Sequence, residues 1–147
     1  MKKIIFAALA AAICWEVKAA DAQWLTDLPK AEAQAKTENK IVVMDFTGSD
    51  WCPACIALRK KVLDSKKFQT YAAANAVLVE VDFPDKKAQS GDLKKANEAL
   101  KDKYKIDGFP TLVVLDQSGK EIGRQEGYDG SSPQEIITAL EKFRSGK

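Results

Sequence analysis

Cys52-Pro53-Ala54-Cys55 is the stretch of this sequence best equipped for covalent chemistry. The attacking species is a thiolate, and a helix N-terminus stabilises it with unpaired N–H groups and a partial positive charge. In such settings a cysteine pKa falls from about 8.5 to roughly 3.5–7.5. An exposed Cys52 opening a helix is therefore expected to be reactive. Cys55, one turn along, is placed to attack a mixed disulfide formed on Cys52, which releases the partner and closes an internal disulfide.

Composition disfavours the competing uses of such a pair. The 147 residues contain no histidine, which removes Ser-His-Asp and Cys-His catalysis, histidine-ligated zinc and imidazole pH switching. Two cysteines complete a four-ligand zinc site only with carboxylates or a second chain, and haem attachment needs histidine where Ile56 stands. No metal and no other cofactor is expected. The 23 basic and 21 acidic residues give a net charge of +2, too little for a nucleic-acid field. Lysine pairs such as Lys60-Lys61, Lys86-Lys87 and Lys94-Lys95 are interleaved with acids and read as solvated faces.

The third cysteine belongs to another kind of segment. Lys2 and Lys3 precede an apolar run from Ile4 to Ile13, and small-residue cleavage sites follow at Val17-Lys18-Ala19 or Ala20-Asp21-Ala22. This is the layout of a secretory signal. The run is too short for a transmembrane helix, which needs about 20 residues. Residues 1–22 are read as a cleaved signal peptide and 23–147 as one domain, periplasmic or secreted, with no stable membrane insertion. A lipoprotein anchor at Cys14 is the alternative, disfavoured by Ile13 where such signals prefer a small residue. After cleavage only Cys52 and Cys55 remain. Paired cysteines in an exported protein are usually staples, but a disulfide closing so short a loop removes little entropy from the unfolded chain. Redox chemistry is the stronger explanation.

The elements that must hold the pair follow from hydrophobic pattern. Leu28 to about Asn39 is rich in helix formers; Ile41–Phe46 is a short, nearly continuous apolar run of the kind buried in a parallel sheet. Asp45 alone interrupts it. After the loop Thr47–Trp51, a helix is expected from Cys52 to about Asp64, with Pro53 in its first turn, and another from Lys66 to Ala74. Val77–Val81 reads as a second strand, and Asp92–Tyr104 as a helix with Leu93, Ala96, Leu100 and Tyr104 on one side. Thr111–Leu115 and the polar Glu121–Glu126, joined through Asp116-Gln117-Ser118-Gly119, suggest an antiparallel hairpin. Ser132, Pro133 and Glu135 signal a capped final helix, with Ile136, Ile137, Leu140 and Phe143 inward. The order predicts an α/β fold: a mixed central sheet of four to five strands with helices on both faces.

From about Val42 to Phe143 the chain resembles the thioredoxin family. Asp45-Phe46-Thr47-Gly48-Ser49-Asp50-Trp51-Cys52-Pro53-Ala54-Cys55 is similar to its active-site segment, Gly108-Phe109-Pro110-Thr111 to its cis-proline loop, and Gly127 to the glycine after its hairpin. The resemblance implies a thioredoxin fold and a redox-active disulfide, Cys52 with Cys55. It also implies a cis Pro110 against Cys52, with the Phe109 backbone pairing with a substrate strand beside Thr111. Trp51 and Phe109 would offer apolar contact to extended substrates. Asp45 falls where family members carry a buried carboxylate that takes the proton of the second cysteine. A carboxylate in an apolar run is costly unless paired or protonated, and such groups tend to be functional. The alternative is a strand-end aspartate bonded to the Thr47 or Gly48 loop.

Three departures from the family carry weight. One extra residue separates Asp45 from Cys52, the intervening pair is Pro53-Ala54, and Phe83–Asp92 is longer than in a minimal thioredoxin. Pro53 withdraws a backbone donor from the first sulfur, and no histidine stabilises its thiolate. The expected activity is therefore thiol-disulfide oxidoreduction of the reductase or isomerase type, on protein thiols and disulfides, with a membrane electron donor as the partner the family implies. A non-catalytic binding module is the competing reading, and metal delivery a weaker third.

Overall fold

The apolar runs and helix-forming stretches assemble into a single five-stranded sheet covered on both faces. The structure, a computed structural model, describes residues 22–146. Nearly all of the segment read as a signal peptide, Cys14 included, lies outside the described residues. In chain order the elements are β1 (Trp24–Leu25), α1 (Leu28–Glu38), β2 (Ile41–Thr47) and α2 (Pro53–Leu58), which runs into a π-helical turn (Arg59–Leu63). Then come α3 (Lys66–Asn75), β3 (Ala76–Asp82), α4 (Gly91–Tyr104), β4 (Thr111–Leu115), β5 (Glu121–Glu126) and α5 (Pro133–Ser145). The strand order is β1-β3-β2-β4-β5. β3 is parallel to β1 and β2, whereas β4 is antiparallel to β2 and β5.

β2 lies at the centre and is buried along its whole length, which is why its sequence is almost unbroken by polar residues. Successive side chains face opposite layers. Val42, Met44 and Phe46 pack with Leu28, Ala31 and Ala35 of α1 and Tyr104 of α4. Ile41 and Val43 pack with Leu58, Phe68, Ala72, Ile136 and Leu140, from α2, α3 and α5. By the same alternation Asp45 faces the α2 layer, in register with Glu80 of β3.

Local signals set the helix ends. Asp27, Ser65 and Ser90 cap α1, α3 and α4 through side-chain oxygens, and Ser132 with Glu135 forms a reciprocal capping box on α5. Three features depart from expectation. β1 is an additional strand, two residues long, too short to show any periodicity. The helix after Cys52 changes pitch at Arg59, whose carbonyl accepts from Asp64 N at 2.8 Å, a bond five residues apart. On α4 the inward residue is Asn97, while Ala96 is exposed. Asn97 is turned in because its amide donates to Asp82 O at 2.9 Å, satisfying a carbonyl where β3 ends.

Candidate active site

The end of β2 delivers the chain into Gly48–Trp51, where Trp51 N and Cys52 N both donate to Gly48 O, at 3.3 and 2.9 Å. This turn makes Cys52 the N-cap of α2, its Sγ accepting from Cys55 N at 3.2 Å. Pro53 occupies the first turn, where its missing N–H breaks no helical bond. Cys52 and Cys55 form a disulfide with Cα atoms 5.3 Å apart, and Gly48 N approaches Cys55 Sγ at 3.5 Å. Cys55 is buried. Cys52 is only 5% exposed, against the expectation of an exposed first cysteine. Capping turns its sulfur back over the helix start, and the loop before β4 stands against it: Cys52 Sγ lies 3.9 Å from Phe109 O.

That loop is held from both sides. The Phe109–Pro110 peptide bond is cis. Pro110 O accepts from Gly127 N at 2.8 Å; Gly127 has φ +73°, a conformation that glycine adopts without a Cβ penalty. Thr111 is buried, and its hydroxyl donates to Gly108 O at 2.8 Å, bracing the turn. Phe109 stacks on Phe83 with ring centroids 5.1 Å apart and meets the edge of Trp51 at 6.0 Å. Trp51 and Ile56, 47% and 42% exposed, are the large apolar side chains the described residues leave open, and both flank the disulfide.

Behind Cys55 lies a cleft of about 300 Å³, lined by Asp45, Thr47, Arg59, Lys60, Glu80 and Lys87 among others. Asp45 is 2% exposed, and its Oδ1 has no hydrogen-bond partner among the described residues. The alternative of a carboxylate tied up by the Thr47 or Gly48 loop therefore has no support at that oxygen. Burial pushes the Asp45 carboxyl up to about 7; Arg59 opposes the rise, and Glu80 and Asp82 add to it. Arg59 is fixed in the cleft by ion pairs to Glu80 at 2.9 Å and Asp64 at 2.8 Å, with its guanidinium 4.3 Å from the centre of the Trp24 ring. The arrangement sets a sulfur pair against a cis-proline loop, with a buried carboxyl of raised pKa behind it.

The structure thus brings Cys52, Cys55, Trp51, Phe109, Pro110 and Thr111 to one end of the sheet, with Asp45 beneath. Arg59 and Glu80 had readable signals that sequence reasoning passed over. Arg59 follows Cys55 by four residues, the spacing of one helix face, and Glu80 breaks the apolar run of β3 as Asp45 breaks that of β2. Asp50 and Phe83 gave no such signal, because their partners lie more than thirty residues away: Asp85, Lys86 and Lys87 N for Asp50, and Trp51 Nε1 for Phe83.

A Cys-X-X-Cys disulfide opening the helix after a central parallel strand, opposite a cis-proline loop entering an antiparallel strand, defines a thioredoxin-fold protein with a dithiol-disulfide centre. The chain belongs to the thioredoxin-like domain family, whose model matches residues 28–144. It is 39% identical over 108 residues to the disulfide bond reductase DsbH of Chlamydia pneumoniae, covering 74% of this chain and 64% of that protein. Over 117 residues it is 33% identical to the thioredoxin-related protein DsbJ of Chlamydia pneumoniae, covering 80% of this chain and 34% of that one. The chain spans less than two thirds of the length of either relative. Among solved structures, a DsbH oxidoreductase superposes with a TM-score of 0.80 at 30% identity, over 96% of each chain.

Proposed function

We propose that this chain is an exported thiol-disulfide oxidoreductase that reduces or isomerises protein disulfides by mixed-disulfide exchange at Cys52 and Cys55. One observation carries the reading: the sulfur pair stands between the Phe109–Pro110 backbone in front and the buried Asp45 behind. The name of its relative DsbH, a disulfide bond reductase, agrees with it.

In the reduced protein the Cys52 thiolate attacks one sulfur of a substrate disulfide. The bond between the substrate sulfurs breaks, one leaving as a thiolate and the other staying bonded to Cys52. Cys55 Sγ, giving its proton to Asp45, then attacks Cys52 Sγ and expels the second substrate sulfur as a thiolate. Both released thiolates take protons from water, Asp45 gives up the Cys55 proton to solvent through the cleft, and two electrons have passed from the protein dithiol to the substrate. During the exchange the Phe109 backbone pairs with an extended substrate strand across Pro110, Thr111 braces that loop, and Trp51 supplies apolar contact. A membrane thiol-disulfide carrier returns the two electrons.

Residues 1–22 direct export to the periplasm or beyond and are removed. Among the described residues no helix is long and apolar enough to cross a membrane. The reductase direction follows from a poorly stabilised thiolate: Pro53 brings no N–H, and no histidine is present. A reduction potential well below the strong-oxidant value of about −120 mV is expected.

The near-burial of Cys52 is an observation that a non-catalytic binding module would share. One experiment separates the two. Cys52→Ser should abolish reduction of insulin disulfides, and Cys55→Ser should accumulate substrate adducts on Cys52. Full activity in Cys52→Ser, or a Cys52 that resists alkylation after mild reduction, would reject the oxidoreductase.

A further inference from the structure

Phe83–Ser90, the loop between β3 and α4, makes up most of the Phe83–Asp92 stretch read from the sequence as longer than in a minimal thioredoxin, and it is bonded to the loop before Cys52 rather than free of it. The Asp50 carboxylate accepts three successive backbone N–H groups, from Asp85 at 2.9 Å and from Lys86 and Lys87 at 2.8 Å each. Trp51 Nε1 donates to Phe83 O at 2.8 Å. Ser49 donates to the Asp82 carboxylate through N at 3.0 Å and Oγ at 2.6 Å, and Lys87 Nζ donates back to Ser49 Oγ at 2.9 Å. From below, Asn97 and Gln89 hold Asp82 O at 2.9 and 3.1 Å. Every residue from Ser49 to Trp51 is thus tied to the Asp82–Lys87 stretch. Bonds from N–H groups to an ionised acceptor are stronger than neutral ones, and they hold the Asp50 carboxyl below the usual carboxylate range.

The consequence lies on the substrate side of Cys52. Phe83 begins the longer loop, stacks on Phe109 and accepts from Trp51, so Trp51, Phe109 and Phe83 form one aromatic wall beside the sulfur pair. Through its bonds to Asp85, Lys86 and Lys87 N, Asp50 pins together the two loops that carry the outer rings, Trp51 and Phe83. We infer that Asp50 is a positioning residue for polypeptide substrates, a role that rests on the disulfide-exchange reading: it fixes the Phe83–Ser90 loop so that Phe83 and Trp51 present a preformed wall to apolar side chains flanking a substrate cysteine. A small disulfide, which needs only the sulfur of Cys52, gains nothing from the wall.

The test compares reduced wild type and Asp50→Ala on insulin and on hydroxyethyl disulfide. Asp50→Ala should raise KM for insulin roughly five- to tenfold, the scale of a lost aromatic contact, with the hydroxyethyl disulfide rate within about twofold. Amide exchange at Asp85, Lys86 and Lys87 should accelerate in the same variant. Phe83→Ala should raise the insulin KM alike, and the double variant should be no worse than the worse single one, since both act through one wall. Equal losses on both disulfides, an unchanged insulin KM, or additive losses in the double variant overturn the positioning role while leaving the exchange reading standing. A wild type inactive on both disulfides overturns the exchange reading and this role with it.

Discussion

Cys52 and Cys55 are one helical turn apart, yet the surroundings of the two sulfurs have little in common. In front of Cys52 stand three aromatic rings and a backbone carbonyl, and among the described residues the one charge placed against a ring there is Lys101 Nζ, 5.8 Å from the centre of Phe83. Behind Cys55 the cleft holds Asp45, Glu80, Arg59, Lys60 and Lys87. The proposed exchange accounts for the difference, because it sets each sulfur a separate task. The first must meet another chain, which needs shape, apolar area and backbone hydrogen-bonding groups. The second must lose a proton out of that chain's reach, which needs an acceptor whose pKa lies near the working pH. One turn of helix, opened by a proline and backed by a central strand, separates the two tasks.

The separation breaks most severely at Asp45. Asp45→Asn should slow attack by Cys55 about 100-fold or more at pH 7, the scale of a lost general base, while formation of the mixed disulfide on Cys52 keeps its rate. Stopped-flow measurement of the two phases checks this, and equal slowing of both would erase the distinction. The same carboxyl shapes stability. With its folded pKa near 7, above the ordinary carboxylate value of 3.8, the folded disulfide form holds a proton that the unfolded chain has lost between those limits. The contribution of this carboxyl to stability is therefore largest below about pH 4, falls as pH rises towards 7 and levels off above it. At about 1.4 kcal/mol per pKa unit, the loss is on the order of a few kcal/mol. Denaturation midpoints at pH 5 and pH 8 should differ accordingly in wild type and converge in Asp45→Asn.

A smaller change sharpens the comparison from the rim of the cleft. Arg59 opposes the rise in the Asp45 pKa and Glu80 adds to it, so removing one or the other should move the protonation in opposite directions. Arg59→Leu should carry the pH midpoint of Cys55 attack upward, and Glu80→Gln downward, each by about one unit or less. The aromatic front should register neither, so the insulin KM stays constant. A midpoint that moves the same way in both variants would show that the cleft acts through packing and not through charge.

How much of this was legible in the sequence depends on distance along the chain. Cys52-Pro53-Ala54-Cys55, the capping residues and the solitary Asp45 in an apolar strand are local patterns, readable because cause and consequence lie within one or two turns. Phe109-Pro110-Thr111 was legible only through family resemblance. Asp50 illustrates the limit. Within Gly48-Ser49-Asp50-Trp51 it looks like any loop aspartate, and its partners are the backbones of Asp85, Lys86 and Lys87, which no side-chain pattern announces. Asn97 failed differently, since a polar residue at an inward position contradicts the amphipathic rule until the carbonyl of Asp82 appears beside it. The near-burial of Cys52 was hidden because it depends on a loop 57 residues away.

The mildest way to disturb the front without the back is a single methyl group at Gly48. A Cβ there would lie 2.5 Å from Cε2, 2.6 Å from Cζ2 and 2.8 Å from Nε1 of Trp51, closer than such atoms approach, so the indole must swing aside. Swinging it breaks the bond from Nε1 to Phe83 O and opens the contact with Phe109. The ring is nearly half exposed and can move outward, which keeps the cost near the lower end for overpacking, about 1 kcal/mol. Gly48 N still approaches Cys55 Sγ, because the substitution leaves the backbone donor in place. Gly48→Ala should therefore raise the insulin KM about two- to threefold, shift Trp51 fluorescence, and leave the pH midpoint of Cys55 attack where it was. If that midpoint moved as well, the two sides of the helix turn would be coupled through Gly48, and their separation would hold only for side chains.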